Sequence, residues 1–148
     1  MKGTLFVFIV IILAMQFIPA PKSNPTFDKN SEFVFPKEIE PLIKHACYDC
    51  HSYETKWPWY SYIAPMSYSV SKNVTNARAA LNFSTWQEYD ENKQYEKIKE
   101  FFRTVYAPMP PRDYIRFHSE ADLSVKEREM IRKWLKEIIN NKEESVSK

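Results

Sequence analysis

The sequence predicts an all-α fold, a small helical domain behind an apolar N-terminal segment, and three observations carry that expectation. Apolar residues recur at steps of three and four in four separate stretches, the spacing of one buried helical face. Helix-opening signals, a proline or a serine followed three residues later by Gln or Glu, stand before several of those stretches. No stretch alternates apolar and polar residues as a half-buried strand does. With 148 residues the chain has room for one compact domain and its appendages.

Taken in order, Met1 to Ala20 place one cation, Lys2, before the apolar run Leu5–Ile18 that only Gln16 interrupts. That is the pattern of an export segment lying outside the fold. The run is shorter than the roughly 20 residues of a comfortable membrane span. Ile18-Pro19-Ala20 nevertheless puts a large residue where cleavage wants a small one, and Pro21 follows. The expectation is therefore an uncleaved anchor through residues 5–18 rather than a cleaved signal. Either outcome puts residues 21–148 in the cell envelope, on the periplasmic side of the inner membrane. Residues 21–36 hold three prolines and no helical period, and read as a tether.

The helical domain is expected over 37–140. Ile39, Leu42, Ile43, Ala46, Cys47 and Cys50 share one stripe of a first helix, with Pro41 tolerable in its opening turn. Pro65 opens a second helix to about Leu81, with Met66, Val70, Val74 and Ala77 facing inward. Ser84 and Gln87 form a capping box for a short turn bearing Trp86. A third helix spans about Glu91–Tyr106 with Tyr95, Ile98, Phe101, Phe102 and Val105 on its apolar side. Ser124 and Glu127 cap a last helix that buries Met130 or Ile131, Trp134, Leu135 and Ile138. Residues 141–148 read as a polar, solvated tail.

Composition removes several functions. Hydrophobic residues at 44% and charged residues at 27% are ordinary globular proportions. A formal charge of +2 without a basic stripe argues against nucleic acid as a partner. Gly3 is the one glycine, so no dinucleotide fingerprint or P-loop exists and nucleotides are not expected either. Aromatics reach 16%, enough to enclose something flat and apolar.

Cys47-Tyr48-Asp49-Cys50-His51 is the pattern C-x-x-C-H, which reads as covalent attachment of a c-type haem, one per chain. Two sulfurs three residues apart lie on one face of a helical turn and can each take one of two vinyl groups on a porphyrin edge. The adjacent imidazole then reaches the iron. Three other chemistries compete. Zinc needs four ligands, and beyond Cys47, Cys50 and His45 or His51 no fourth is evident. A redox C-x-x-C wants a βαβ surrounding. A disulfide over so short a loop leaves His51 without a role.

From about Ile43 to Leu135 the chain resembles a bacterial family described as a haem-binding domain, related in motif logic to class I cytochromes c. The residues that carry the resemblance are Cys47 to Ser52, then Pro58-Trp59-Tyr60-Ser61 with Ile63-Ala64-Pro65, then Leu81-Asn82-Phe83-Ser84 with Trp86, and Met109-Pro110 followed by Tyr114. The resemblance implies a compact helical haem c domain in the cell envelope. One departure is Ala107-Pro108, where the family often has small or acidic residues before the Met-Pro pair.

For the sixth iron position the first candidate is Met109, in a proline-rich stretch whose fixed φ angles cost its thioether little entropy on ligation; the plainer reading is a gap-filling core methionine. His118 is the runner-up, His45 reads as a surface side chain, and Met66 as core. Trp59 and Tyr60, with Trp57 and Tyr62, are candidates to line the porphyrin edge, and Arg78 to pair with a propionate. A haem with both axial positions filled implies a one-electron carrier serving redox partner proteins of the envelope. An open sixth position implies peroxide chemistry or ligand sensing instead, with His118 or Arg112 beside it. The third class is a structural or interaction domain stapled by its haem.

Overall fold

The computed structural model describes residues 2–106 and 109–146. Among them every regular element is an α-helix or a short 3-10 turn, and there is no strand. The α-helices are α1 (Lys2–Met15), α2 (Glu40–Ala46), α3 (Tyr48–His51), α4 (Met66–Ala80), α5 (Glu91–Thr104), α6 (Arg112–Ile115) and α7 (Val125–Val146).

α5 and α7 form an antiparallel pair. At one end Lys142 Nζ meets Glu91 Oε2 at 2.6 Å and the Tyr95 hydroxyl donates to Glu143 at 2.8 Å; at the other Arg128 Nη1 donates to the Val105 carbonyl at 2.6 Å. Ile98, Phe101 and Val105 from this pair meet Ile131 and Leu135, and Ile43 and Phe83 close the core from the other side. Each such side chain contributes about 1.5–3 kcal/mol when fully removed from water. The box of Ser124 and Glu127 opens α7 as expected: the Ser124 hydroxyl donates to Glu127 Oε2 at 2.7 Å, and that same carboxylate accepts from the Ser124 backbone N–H at 2.8 Å.

Several expected boundaries move. The first helix breaks at Cys47, whose φ of −124° leaves the helical range, so α2 and α3 are separate turns. The cap of the Trp86 turn is Asn82, which accepts from the Ser84 N–H at 3.0 Å, because the Ser84 hydroxyl is taken by the Tyr53 N–H. α5 is capped by Asp90, accepting from Lys93 N–H at 2.9 Å, a bond of about 1 kcal/mol. Residues expected as a tail continue α7 to Val146, since Lys142 and Glu143 find partners on α5.

The larger difference concerns residues 21–36, expected as a tether. They lie along the domain as a belt. Phe35 is buried beside Ile39, Tyr48 and Phe83, and Phe33 stacks on Phe35 and donates its N–H to the Phe83 carbonyl at 2.8 Å. Ala20 is buried, and Asn24 donates to the Thr55 carbonyl at 2.8 Å. The prolines prevent a helix, but the backbone groups find partners on the domain. Before this belt, α1 covers 14 residues; among the described residues no helix is long and apolar enough to cross a membrane, so the expected anchor is not a complete span.

Candidate functional site

The motif occupies the break between α2 and α3. There the Cys50 and His51 N–H groups both donate to the Cys47 carbonyl, at 3.1 and 2.8 Å, closing one turn that turns positions 47, 50 and 51 to a common face. The other positions of the turn are spent on the framework. Tyr48 is buried, stacks on Phe83 at 5.6 Å and donates its hydroxyl to Glu32 at 2.8 Å. Asp49 accepts from the Lys56 N–H at 3.0 Å and from the Tyr114 hydroxyl at 2.8 Å. Ser52 is buried and caps back onto the Tyr48 carbonyl at 2.8 Å.

The common face lines a cavity of about 360 Å³, within the ordinary range of cofactor pockets. Cys47, Cys50 and His51 form one part of its wall, and Met109, Pro110 and Tyr114 another. Phe83, Leu81 and Ala77 add an apolar surface, and α5 contributes Phe101, Thr104 and Lys97.

His51 is held in one tautomer. Its Nδ1 lies 2.9 Å from the Leu81 carbonyl, an acceptor only, so Nδ1 carries the proton and Nε2 keeps its lone pair. Burial holds the ring below the ordinary histidine value, which keeps it neutral. The thiols are shifted the other way: burial pushes Cys47 up to about 12 and Cys50 up to about 11. Reactive or metal-bound thiolates need the opposite shift. Among the described residues no group of three His, Cys, Asp or Glu side chains is placed to hold a metal ion. Cys47 and Cys50 are free rather than disulfide-bonded.

Met109 reaches the cavity from a segment gripped at its ends. Its N–H donates to the Thr104 carbonyl at 3.3 Å. Arg128, near the start of α7, donates through Nη1 to the carbonyls of both Val105 and Met109, and through Nε to Leu123 at 3.0 Å. One guanidinium thus joins both ends of the stretch 105–109. The Ala107-Pro108 departure lies outside the described residues.

The remaining candidates fall elsewhere. Arg78 does not line the cavity; its guanidinium is consumed by Ser52 O at 2.8 Å, Ser23 O at 2.9 Å and Thr55 Oγ1 at 2.8 Å, binding the N-terminal belt to the motif. Trp59 is 70% exposed and also outside the lining. Tyr60 is buried and lines a neighbouring cavity of about 400 Å³ that shares Cys50 and Tyr114 with the first. Its hydroxyl lies 2.9 Å from His118 Nε2, while His118 Nδ1 meets Glu120 at 3.1 Å, so both ring nitrogens of the runner-up ligand are engaged. Met66, expected as core, is 40% exposed beside that second cavity. His45 is exposed. Sequence reasoning missed Arg128, which looks like an ordinary helix charge, and Asp49, which looks like a spacer. Nothing in their spacing marks them.

The cavity thus brings together two thiols and an imidazole on one turn and a thioether on another segment, with apolar walls between. A family model described as a haem-binding domain matches residues 10–137. No curated protein and no solved structure matches the chain.

Proposed function

The chain belongs to the haem-binding domain family, and on that premise we propose that it is a cell-envelope protein carrying one covalently attached c-type haem, with His51 and Met109 as axial ligands, and that it works as a one-electron carrier. The observation that carries this reading is that Cys47, Cys50, His51 and Met109 line one cavity. Iron held by His and Met supplies reversible one-electron transfer at a raised potential. Every other task falls to the chain. Cys47 and Cys50 would hold the haem through thioether links to its vinyl groups, an S–H addition that retains every atom and needs no external oxidant. The Leu81 carbonyl holds the His51 tautomer, Arg128 holds the Met109 segment, and the apolar walls exclude water. The relation to class I cytochromes c rests on these shared parts. The envelope location rests on the apolar α1, and the partners that fit a carrier there are other redox proteins.

Absorption spectra of the purified oxidised and reduced protein, with and without carbon monoxide, test the reading. A low-spin spectrum with the weak near-infrared sulfur-to-iron band, unchanged by carbon monoxide, is expected. A high-spin wild type that binds carbon monoxide overturns the carrier in favour of a ligand-binding or peroxide-reacting site.

A further inference from the structure

Among the described residues α1 is an exposed apolar surface, and none of its residues lines the cavity. α1 buries none of its residues, although its sequence from Leu5 to Leu13 is apolar on every side. A helix apolar all round is satisfied inside a protein core or in hydrocarbon, whereas one made for a groove or for a second copy carries a stripe and a polar back.

The end of this helix is fixed to the domain by specific bonds. The Gln16 carboxamide donates to the Ala64 carbonyl at 3.1 Å and accepts from the Ala64 N–H at 3.0 Å. The Tyr68 hydroxyl donates to the Ile18 carbonyl, and Lys22 Nζ donates to the Ser61 carbonyl at 2.8 Å while lying 4.0 Å from the centre of the Tyr62 ring. These contacts seat α1 on the turn Trp59–Tyr62 and the start of α4. That same turn leaves Trp59, Tyr62 at 63% and Ile63 at 48% exposed, with the exposed Met66 just beyond it.

We propose that this turn is the face by which the folded domain rests in the headgroup region of a lipid bilayer entered by α1. The proposal rests on the envelope location above and is independent of the haem. The length of α1 gives the reason. Its 14 residues rise about 21 Å at 1.5 Å each, against a hydrocarbon core of about 30 Å. A short apolar helix draws its end, and whatever is bonded to that end, towards the interface. Here that part carries an exposed Trp, an exposed Tyr and an exposed Ile. Rings with one polar atom belong at that depth, and Lys22 runs along Tyr62 to place its ammonium among the headgroups.

The test uses the full haem-loaded chain in phosphatidylcholine–phosphatidylglycerol vesicles containing a phospholipid with a diazirine high on its acyl chain. After illumination, lipid adducts are located by peptide mass spectrometry. Adducts are expected on α1 and on the tryptic peptide 57–72 that carries the turn. Gln16→Leu, which keeps the segment apolar but removes both bonds to Ala64, should lower adducts on 57–72 several-fold and leave those on α1. Adducts on α1 alone in the wild type would overturn the docking face. Chain-to-chain cross-links in place of lipid adducts would overturn it in favour of a second copy. A protein free in solution without adducts would overturn both the face and the envelope anchor, and the absorption spectrum would still report separately on the haem.

Discussion

The part of the cavity wall that carries Cys47, Cys50 and His51 is a single turn closed by its own backbone, whereas the part that carries Met109 is a stretch of chain gripped by partners from other elements. In the first, both N–H groups that matter bond to one carbonyl three or four residues away. In the second, the decisive donor is the guanidinium of Arg128, 19 residues from Met109. The difference teaches that two parts of one cavity wall can differ in robustness: a local turn forms wherever its helix forms, while a clamped segment fails when one remote side chain is lost.

The largest effect is expected on the local turn. The double variant Cys47→Ala/Cys50→Ala should leave no haem on the chain after denaturing electrophoresis, whereas wild type made with haem-maturation machinery retains it. An unmodified wild-type mass would break the comparison at its root, because neither part of the wall would then serve a covalent haem.

Next in size is Met109→Ala. Haem should remain attached, since the thiols are untouched, but the near-infrared band should vanish, the potential should fall and carbon monoxide should bind. Met66→Ala, exposed beside the other cavity, should change none of these. If His118→Ala altered the spectrum in place of Met109→Ala, the clamped segment would lose its functional meaning.

Arg128→Met sharpens the contrast. It leaves the Val105 and Met109 carbonyls without their shared donor, at a cost of about 1–3 kcal/mol in stability. The sulfur-to-iron band should disappear on warming well before the protein unfolds, and Arg128→Lys should restore part of the interval. Loss of band and fold at one temperature would show that the segment is not separately held.

A smaller effect probes the local turn by pH in the haem-free protein. Burial lowers His51 from its ordinary 6.5, so as pH falls below about 6.5 the unfolded chain binds a proton that the folded chain refuses, and the melting temperature should drop. Burial raises both thiols from 9.0, so above about pH 9 the unfolded chain releases protons that the folded chain keeps, and stability should drop again. The alkaline loss should be reduced in the double alanine variant; an unchanged alkaline limb would place its origin outside the motif.

The smallest expected effect is at the bond that joins the two parts, Asp49 to Tyr114. A double-mutant cycle of Asp49→Asn with Tyr114→Phe should give a coupling of about 0.5–1.5 kcal/mol. No coupling would mean that the parts are held independently.

The sequence carries the local parts of this picture in full. Residues 47, 50 and 51 share a face because helical geometry fixes that spacing, and the Ser124–Glu127 box opens α7 because both partners lie within one turn. The periodicity of Ile98, Phe101, Ile131 and Leu135 names core residues for the same reason. Legibility ended where partners are far apart in the chain. The belt over residues 21–36 looked like a tether because its prolines disfavour a long helix, and only Arg78, Ser71 and Phe83 show where its backbone groups are satisfied. Arg78 itself offered a free cation to the sequence and a saturated one to the structure.

By itself the sequence determined the all-helical class, the turn that presents two thiols and an imidazole, and the apolar character of α1, since each follows from spacings of three or four residues or from composition. Only the tertiary structure decided which tautomer His51 holds, which methionine shares its cavity, that Arg128 grips that methionine's segment, and that Gln16 fixes α1 to the domain. Those are hydrogen bonds and contacts between residues 19 to 58 positions apart, among them Arg128 with Met109, His51 with Leu81, Gln16 with Ala64, and the Tyr60 bond that engages His118. Bonds of that reach exist only once the core has brought the elements together, because no local backbone preference sets the direction in which such side chains meet.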